Sequence, residues 1–152
     1  MDAFGDIIYG FSITLTWGNL FYCFAGVVIG TLVGVLPGLG PVAAMSLLFP
    51  ATLHIPPVSA IIMLAGIYYG AMYGGSTTSI LVNIPGEAAS VITCIDGYQM
   101  ARQGRAGVAL GISAIGSFIG GTLAVVARQM VAPPLARIAL IFGRLDLRRR
   151  PD

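Results

Sequence analysis

From Ile7 to Gly86 the chain carries no Asp, Glu, Lys or Arg, and its long apolar run is punctuated by Pro and Gly instead of by charge. A membrane-spanning helix needs only about 20 consecutive apolar residues, so this interval has room for two spans and the loops between them. Ahead of it, Phe4, Ile7, Ile8, Phe11 and Leu15 recur at helical spacing. This predicts a short N-terminal helix within residues 1–17 that lies in the interface, with Tyr9 and Trp17 at headgroup level. "NLFYCFAGVVIGTLVGVL", 19–36, reads as the first span, stopped by Pro37 and Gly38, which cannot continue a helix. Pro41 suits the first turn of a new helix, expected over 42–53. At about 1.5 Å per residue that helix is too short for a hydrocarbon core of about 30 Å, so it is expected to enter without crossing.

After the rigid "HIPP" turn, 54–57, the pattern predicts a second span over 58–79, and the run breaks at "NIPGEAAS", 83–90. Residues 87–105 are more polar and read as a short amphipathic helix and loop at the membrane surface. A third span is expected over 106–127, and Pro133 and Pro134 are expected to break the last apolar piece, "APPLARIALIFG". The predicted fold class is therefore an all-α integral membrane protein: three or so spanning helices plus broken or re-entrant half-helices.

Glycines add a packing expectation. Gly26, Gly30 and Gly34 recur every four residues, as do Gly66, Gly70 and Gly74, and Gly107/Gly111 and Gly116/Gly120 repeat the spacing. In lipid, where no hydrophobic effect drives helices together, such faces let backbones approach closely.

Composition fixes the solvent: 57% hydrophobic residues, 9% charged residues and a mean hydropathy of +0.90 describe a chain that lives in a bilayer. All eight basic residues are Arg, and they crowd toward the end of the chain. The one dense block, "RLDLRRRPD", suits lipid headgroups better than nucleic acid. Arg102 and Arg105 place the 87–105 segment on the cytoplasmic side by the positive-inside bias, against the vote of Arg128. Asp2 and Asp6 stand where a cleaved signal peptide would carry basic residues. Cys23 and Cys94 lack CxxC spacing and are expected to be free thiols.

Two stretches carry candidate chemistry. "VGVLPGLGPVA" imitates a dinucleotide-binding turn, but that motif wants an acid about 20 positions on, and the next one here is Glu87. The better reading is a helix break inside the membrane, tolerated where protein or a water-filled cavity satisfies the freed backbone groups. Half-helix N-termini suit a carboxylate, and unwound carbonyls suit Na+. Pro37 and Pro41 frame this break, while Gly38 and Gly40 allow a ligand close to the backbone. The second stretch, "GGSTTSILVNIPG", is expected to be a parallel break. There Gly74 and Gly75 loosen the chain, and Ser76, Thr77, Thr78, Ser79 and Asn83 offer neutral polar groups before Pro85 and Gly86. Neutral groups suit a bilayer, since a charge near its centre costs roughly 2.5–3.5 kcal/mol or more. The competing reading is that the hydroxyls bond back to their own helix. No enzyme is visible: His54 is the lone histidine, and no carboxylate pair or metal-ligand spacing occurs. Asp96 is expected to cap locally or pair with Arg102.

Taken together, "GTLVGVLPGLGPVAAMSLLFP", "AGIYYGAMYGGSTTSILVNIPG" and "DGYQMARQGRAGVALGISAIGSFIGG" closely resemble the large membrane subunit of the tripartite tricarboxylate transporter family, over about 17–143. The resemblance implies a multi-pass protein of the bacterial inner membrane that imports citrate or related carboxylates. Transport would be driven by a Na+ or H+ gradient, with no other cofactor. The implied partners are a small membrane subunit and a periplasmic solute-binding protein. It also implies that Pro37 to Pro41 and Gly74 to Gly86 line the substrate site.

Family subunits are much longer and carry a second half with its own broken helices, as in transporters built from repeats. This sequence corresponds to the first half: an interfacial helix over 1–17, a portion of the membrane domain over 18–143, and a basic, unfamily-like tail over 144–152. The expectation is a truncated or frameshifted product or a split-gene half. The alternative is a non-transporting scaffold or remnant that only associates with partner subunits.

Overall fold

A computed structural model describes residues 3–147. Its helices are α1 (Ala3–Thr14), α2 (Trp17–Gly34), α3 (Gly40–Thr52), α4 (Pro57–Val82), α5 (Val91–Arg102) and α6 (Ala106–Leu147), with a 3-10 turn, Ala88–Ser90, ahead of α5. Among the described residues, three stretches are long and apolar enough to cross a membrane: Trp17–Gly34, Pro57–Val82 and Ala106–Gln129. Two compact units are distinguished, Met1–Gly111 and Ile112–Asp152. Within the second, the described residues are the continuation of α6.

In the first unit the glycine pattern becomes a seam. A Cβ built on Gly26 would strike the carbonyl oxygen of Met63, one on Gly30 that of Ile67, and one on Gly34 that of Ala71. Reciprocally, a Cβ on Gly66 would stand 2.8 Å from Cys23 O, one on Gly70 would strike Val27 O and one on Gly74 would strike Thr31 O. Each helix gives up side chains where the other presents carbonyls, so the two backbones touch directly, the geometry in which weak Cα–H···O contacts form. The partner numbers rise together along both helices, so α2 and α4 run parallel.

Polar pins close the seam at both ends. The Ser59 hydroxyl donates to Asn19 Oδ1 at 2.6 Å, and Asn19 Nδ2 donates to Ile13 O at 2.8 Å. At the far end Thr78 Oγ1 lies 3.1 Å from Val35 O.

Parallel helices require the chain between them to travel back. That return limb is α3 with its flanking turns. Its buried Ala44 packs with Ile67 and Ala71 of α4, and Met45, Leu48, Met63, Leu64 and Val33 gather around them. Length alone suggested a helix that enters without crossing. The register instead makes the 13 residues of α3 a connection from the Gly34 end of α2 to the Asn19 end.

Two further expectations are revised. α4 is continuous through Gly74–Ser79, so the second break begins only at its C-cap, Asn83, whose φ of 60° and ψ of 28° place it in the left-handed region. Asn is one of the few residues with a side chain that tolerates this conformation, and Pro85 then prevents the helix from resuming. α6 runs on through positions 133 and 134 without ending. Proline's fixed φ is itself helical, and neighbouring groups can satisfy the freed carbonyls in a membrane setting. Of the basic tail, residues 148–152 lie outside the described residues.

Beyond the second break, α5 folds back on α4. A Cβ on Gly97 would lie 2.7 Å from Ile80 Cγ1, and Ile80 is fully buried. The α6 glycines behave differently from the seam: a Cβ at Gly107, Gly111, Gly116 or Gly120 meets no described atom within 4 Å. Large apolar side chains such as Phe21, Phe24, Leu32 and Ile61 point outward with more than 60% of their surface exposed, as suits a surface that faces lipid.

Candidate functional site

The two breaks meet. After α2 ends at its C-cap, Val35, the chain turns through Pro37, Gly38 (φ +84°), Leu39 and Gly40 (φ +62°). The N–H of Gly38 donates to Gly86 O at 3.3 Å. Gly86 is buried against the backbone: a Cβ there would strike Gly75 Cα and come within 3.3 Å of Gly34 O. A Cβ on Gly40 would lie 4.0 Å from the Cβ of Glu87. Three helix ends therefore come together against the flank of α4 at Gly75: the C-terminus of α2 and the N-termini of α3 and of the 3-10 turn that leads into α5.

That convergence has a mixed polarity. Helix C-termini present carbonyls and favour cations, whereas N-termini present N–H groups and favour anions. The α3 end has no side-chain cap, and Pro41 sits in its first turn. The other N-terminal end is closed by a capping box, in which the Glu87 side chain accepts the Ser90 N–H and the Ser90 hydroxyl accepts the Glu87 N–H at 3.2 Å. So α3 carries the end without a side-chain cap.

Of the residues singled out in the sequence, the structure brings together Gly38, Gly40, Gly75, Thr78 and Gly86, and buries Pro41 in the first turn of α3. Gly74 belongs to the α2–α4 seam. Pro37, Asn83 and Pro85 are exposed and shape the turns. The hydroxyl cluster does not converge on the junction. Ser76 donates to Met72 O at 3.1 Å, Thr77 to Tyr73 O at 2.9 Å and Ser79 to Gly75 O at 2.8 Å. A hydroxyl has one proton to give. With it spent on their own helix, these three can accept a hydrogen bond but not donate one to a carboxylate.

Thr78 differs. Its Oγ1 lies 3.1 Å from both Gly74 O and Val35 O, so it can tie α4 to the residue that ends α2. Thr78→Val is expected to lower stability by about 1 kcal/mol, the usual net worth of one internal hydrogen bond, and Thr78→Ser to restore it. Reversible unfolding in mixed micelles checks this; equal stability of the Val variant and the wild type would show that the tie contributes nothing.

In the sequence Glu87 stands out only as an acid too distant for a dinucleotide motif and as the start of the polar segment 87–105. It is the sole glutamate of the chain and the first charged residue after Asp6. Half-buried at the junction, its carboxyl is pushed above the usual glutamate range by desolvation. The available signal was positional, a lone acid directly following a Pro-Gly break. Elsewhere, His54 and Asp96 are exposed, and Cys23 and Cys94 are free thiols. Among the described residues no three His, Cys, Asp or Glu side chains come together. A cation at the junction would therefore rest on Glu87 and backbone carbonyls.

Comparison with known proteins is concordant. The model of the family described as "Tripartite tricarboxylate transporter TctA family" matches residues 20–147. A protein of Agrobacterium vitis, described as "Uncharacterized 52.8 kDa protein in TAR-I ttuC' 3'region", is 56% identical over 143 residues. The match covers 94% of this chain and 28% of that relative, so the chain spans under a third of the relative's length. No solved structure matches the chain.

Proposed function

This chain belongs to the tripartite tricarboxylate transporter TctA family, and on that premise we propose that it supplies the N-terminal part of a permease for citrate-like tricarboxylates or related carboxylates. In this reading uptake is driven by an ion gradient across the bacterial inner membrane. A periplasmic solute-binding protein delivers the substrate, and a small membrane subunit completes the assembly. The observation that carries the reading is the junction: two helix breaks far apart in sequence are joined by Gly38 N–H to Gly86 O, with the uncapped N-terminus of α3 beside them. Broken helices with an open N-terminal end are how transporters present N–H groups to anionic substrate.

Within that proposal, Pro37, Gly38, Gly40, Pro41, Gly75, Thr78 and Gly86 form or support the substrate site. The remainder of a repeat-built carrier provides the opposing half. Arg102 and Arg105 hold the segment from Glu87 to Arg105 at the cytoplasmic face. A second reading rests on the glycine seam, which shows close helix association and no transport path by itself: these residues associate with partner subunits without moving solute.

Uptake of radiolabelled citrate separates the readings. The full-length carrier containing this sequence, with its binding protein and small subunit, is expected to accumulate label. Gly40→Val should abolish that accumulation, because a branched side chain at φ +62° strains the turn at the open helix end. Undiminished uptake by the variant would remove the junction from the transport path. Citrate uptake by the 152-residue chain expressed alone would sink the scaffold reading.

A further inference from the structure

A carrier that places a substrate carboxylate at this junction must deal with the acidic residue beside it. Glu87 is half-buried, follows directly on Gly86, whose carbonyl holds the first break, and faces the position a Cβ on Gly40 would take. No cation offsets it from the neighbouring helices: α2, α3 and α4 contain no Asp, Glu, Lys or Arg. Their titratable groups are Tyr22 and Cys23 on α2 and Tyr68, Tyr69 and Tyr73 on α4. On α5, which packs on the 3-10 turn, the groups are Cys94, Asp96, Tyr98 and Arg102. Its two charges, Asp96 and Arg102, are exposed and lie more than one helical turn beyond Val91. Two carboxylates in a half-dry site repel, and the burden falls on the one that can take a proton, here Glu87, against the Ser90 N–H that its side chain accepts at the 3-10 turn.

We propose that Glu87 is the proton-coupling residue of the carrier: it takes up a proton when a substrate carboxylate occupies the junction and gives it up when the substrate leaves. The inference rests on the transport reading above. In the loading step one proton from solvent adds to a Glu87 carboxylate oxygen, giving a neutral carboxylic acid and leaving the substrate anion unopposed. On release the same proton returns to solvent. Linkage makes the coupling reciprocal: by whatever factor substrate raises the proton affinity of Glu87, protonation raises the affinity for substrate. The raised protonation tendency that burial gives Glu87 in the empty junction acts in the same direction.

Because Glu87 is the only glutamate, cell-free incorporation of δ-13C glutamate gives a single carboxyl resonance in this chain, reconstituted in lipid nanodiscs. The expected result is one titration with its midpoint above the ordinary glutamate value and unmoved by added Na+. A midpoint at the ordinary value, or one displaced by Na+ at fixed ionic strength, overturns the proposal, and the second outcome would make the site a sodium site.

The full-length carrier with its partners, in proteoliposomes, supplies the second arm, read as the ratio of citrate uptake with an imposed pH gradient to uptake without it. The wild-type ratio should exceed unity, E87Q should bring it to unity, and E87D should keep it above unity with a displaced pH profile. An E87Q ratio equal to wild type overturns the proposal while leaving the transport reading intact. If E87Q takes up nothing at all, an E87D pH profile identical to wild type overturns it. No citrate uptake by the wild type sinks the transport reading, and the nanodisc titration then still decides whether Glu87 holds a proton.

Discussion

A Gly70→Ala chain is expected to lose about 2 kcal/mol of stability or more, whereas Gly107→Ala leaves it unchanged or slightly firmer. The two substitutions are chemically identical, and both fall within helices. What differs is the space. On α4, a Cβ at Gly70 would strike Val27 O and lie 2.9 Å from Thr31 N and 3.0 Å from Val27 C. All three are backbone atoms of α2, so no side chain can swing aside. Relief requires the helices to part, which loosens the neighbouring contacts at Gly30, Gly66 and Gly74. Overpacking in a tight interior costs roughly 1–3 kcal/mol, and a continuous seam should sit toward the upper end. At Gly107, in the first turn of α6, a Cβ meets no described atom within 4 Å, and only part of the roughly 0.5–1 kcal/mol by which Ala exceeds Gly in a helix interior acts there. Reversible unfolding of both variants in mixed micelles, followed by far-UV circular dichroism, makes the comparison. Equal losses would mean that glycine's flexibility, not the α2–α4 contact, governs stability.

How much of this was legible in the sequence follows from which forces act locally. The spans over α2 and α4 were legible because a bilayer demands length and apolarity, and the sequence states both in one dimension. The seam was legible as two sets of glycines at four-residue spacing, since that spacing is one face of a helix. The direction of packing was not: a repeat of four fits parallel and antiparallel partners equally. Parallel α2 and α4 turn α3 into a return limb, which its 13 residues could not announce. The hydroxyls of Ser76 to Ser79 admit two readings from sequence, a site or bonds back to their own helix. Ser and Thr in an apolar helix find an acceptor one turn back, so a cluster of them marks a helix as readily as a site, and in three of the four the bond is wholly internal. Tandem proline at 133–134 was read as a stop, although proline's own φ is helical and only the bonds it forfeits argue for a break. Glu87 was missed because acids at helix starts are commonplace. Its neighbour in space, Gly40, lies nearly fifty positions away in sequence.

Gly86→Ala is expected to uncouple the two breaks and abolish carboxylate uptake by the full-length carrier, while Gly75→Ala, on the other side of the same contact, is expected to retain most of it. A Cβ on Gly86 would strike Gly75 Cα and stand 3.2 Å from Gly75 C and 3.3 Å from Gly34 O. That direction is closed by backbone. A Cβ on Gly75 meets its nearest atom, Gly86 Cα, at 3.4 Å and Gly34 O at 3.8 Å, which is ordinary contact. To seat the alanine, residue 86 must move away from α4. Its carbonyl, which accepts the Gly38 N–H at 3.3 Å, then leaves the first break. Losing that hydrogen bond costs about 1 kcal/mol, a small sum for a fold held chiefly by the seam of α2 and α4. A displacement of about 1 Å can nonetheless cost a hundredfold in rate where groups must be positioned. The alanine variant should therefore insert and unfold much as the wild type does but fail to transport. Two measurements on each variant decide it, unfolding in mixed micelles and citrate uptake by the reconstituted carrier. If Gly75→Ala were the silenced variant and Gly86→Ala the active one, the close approach of the two breaks would have no part in function.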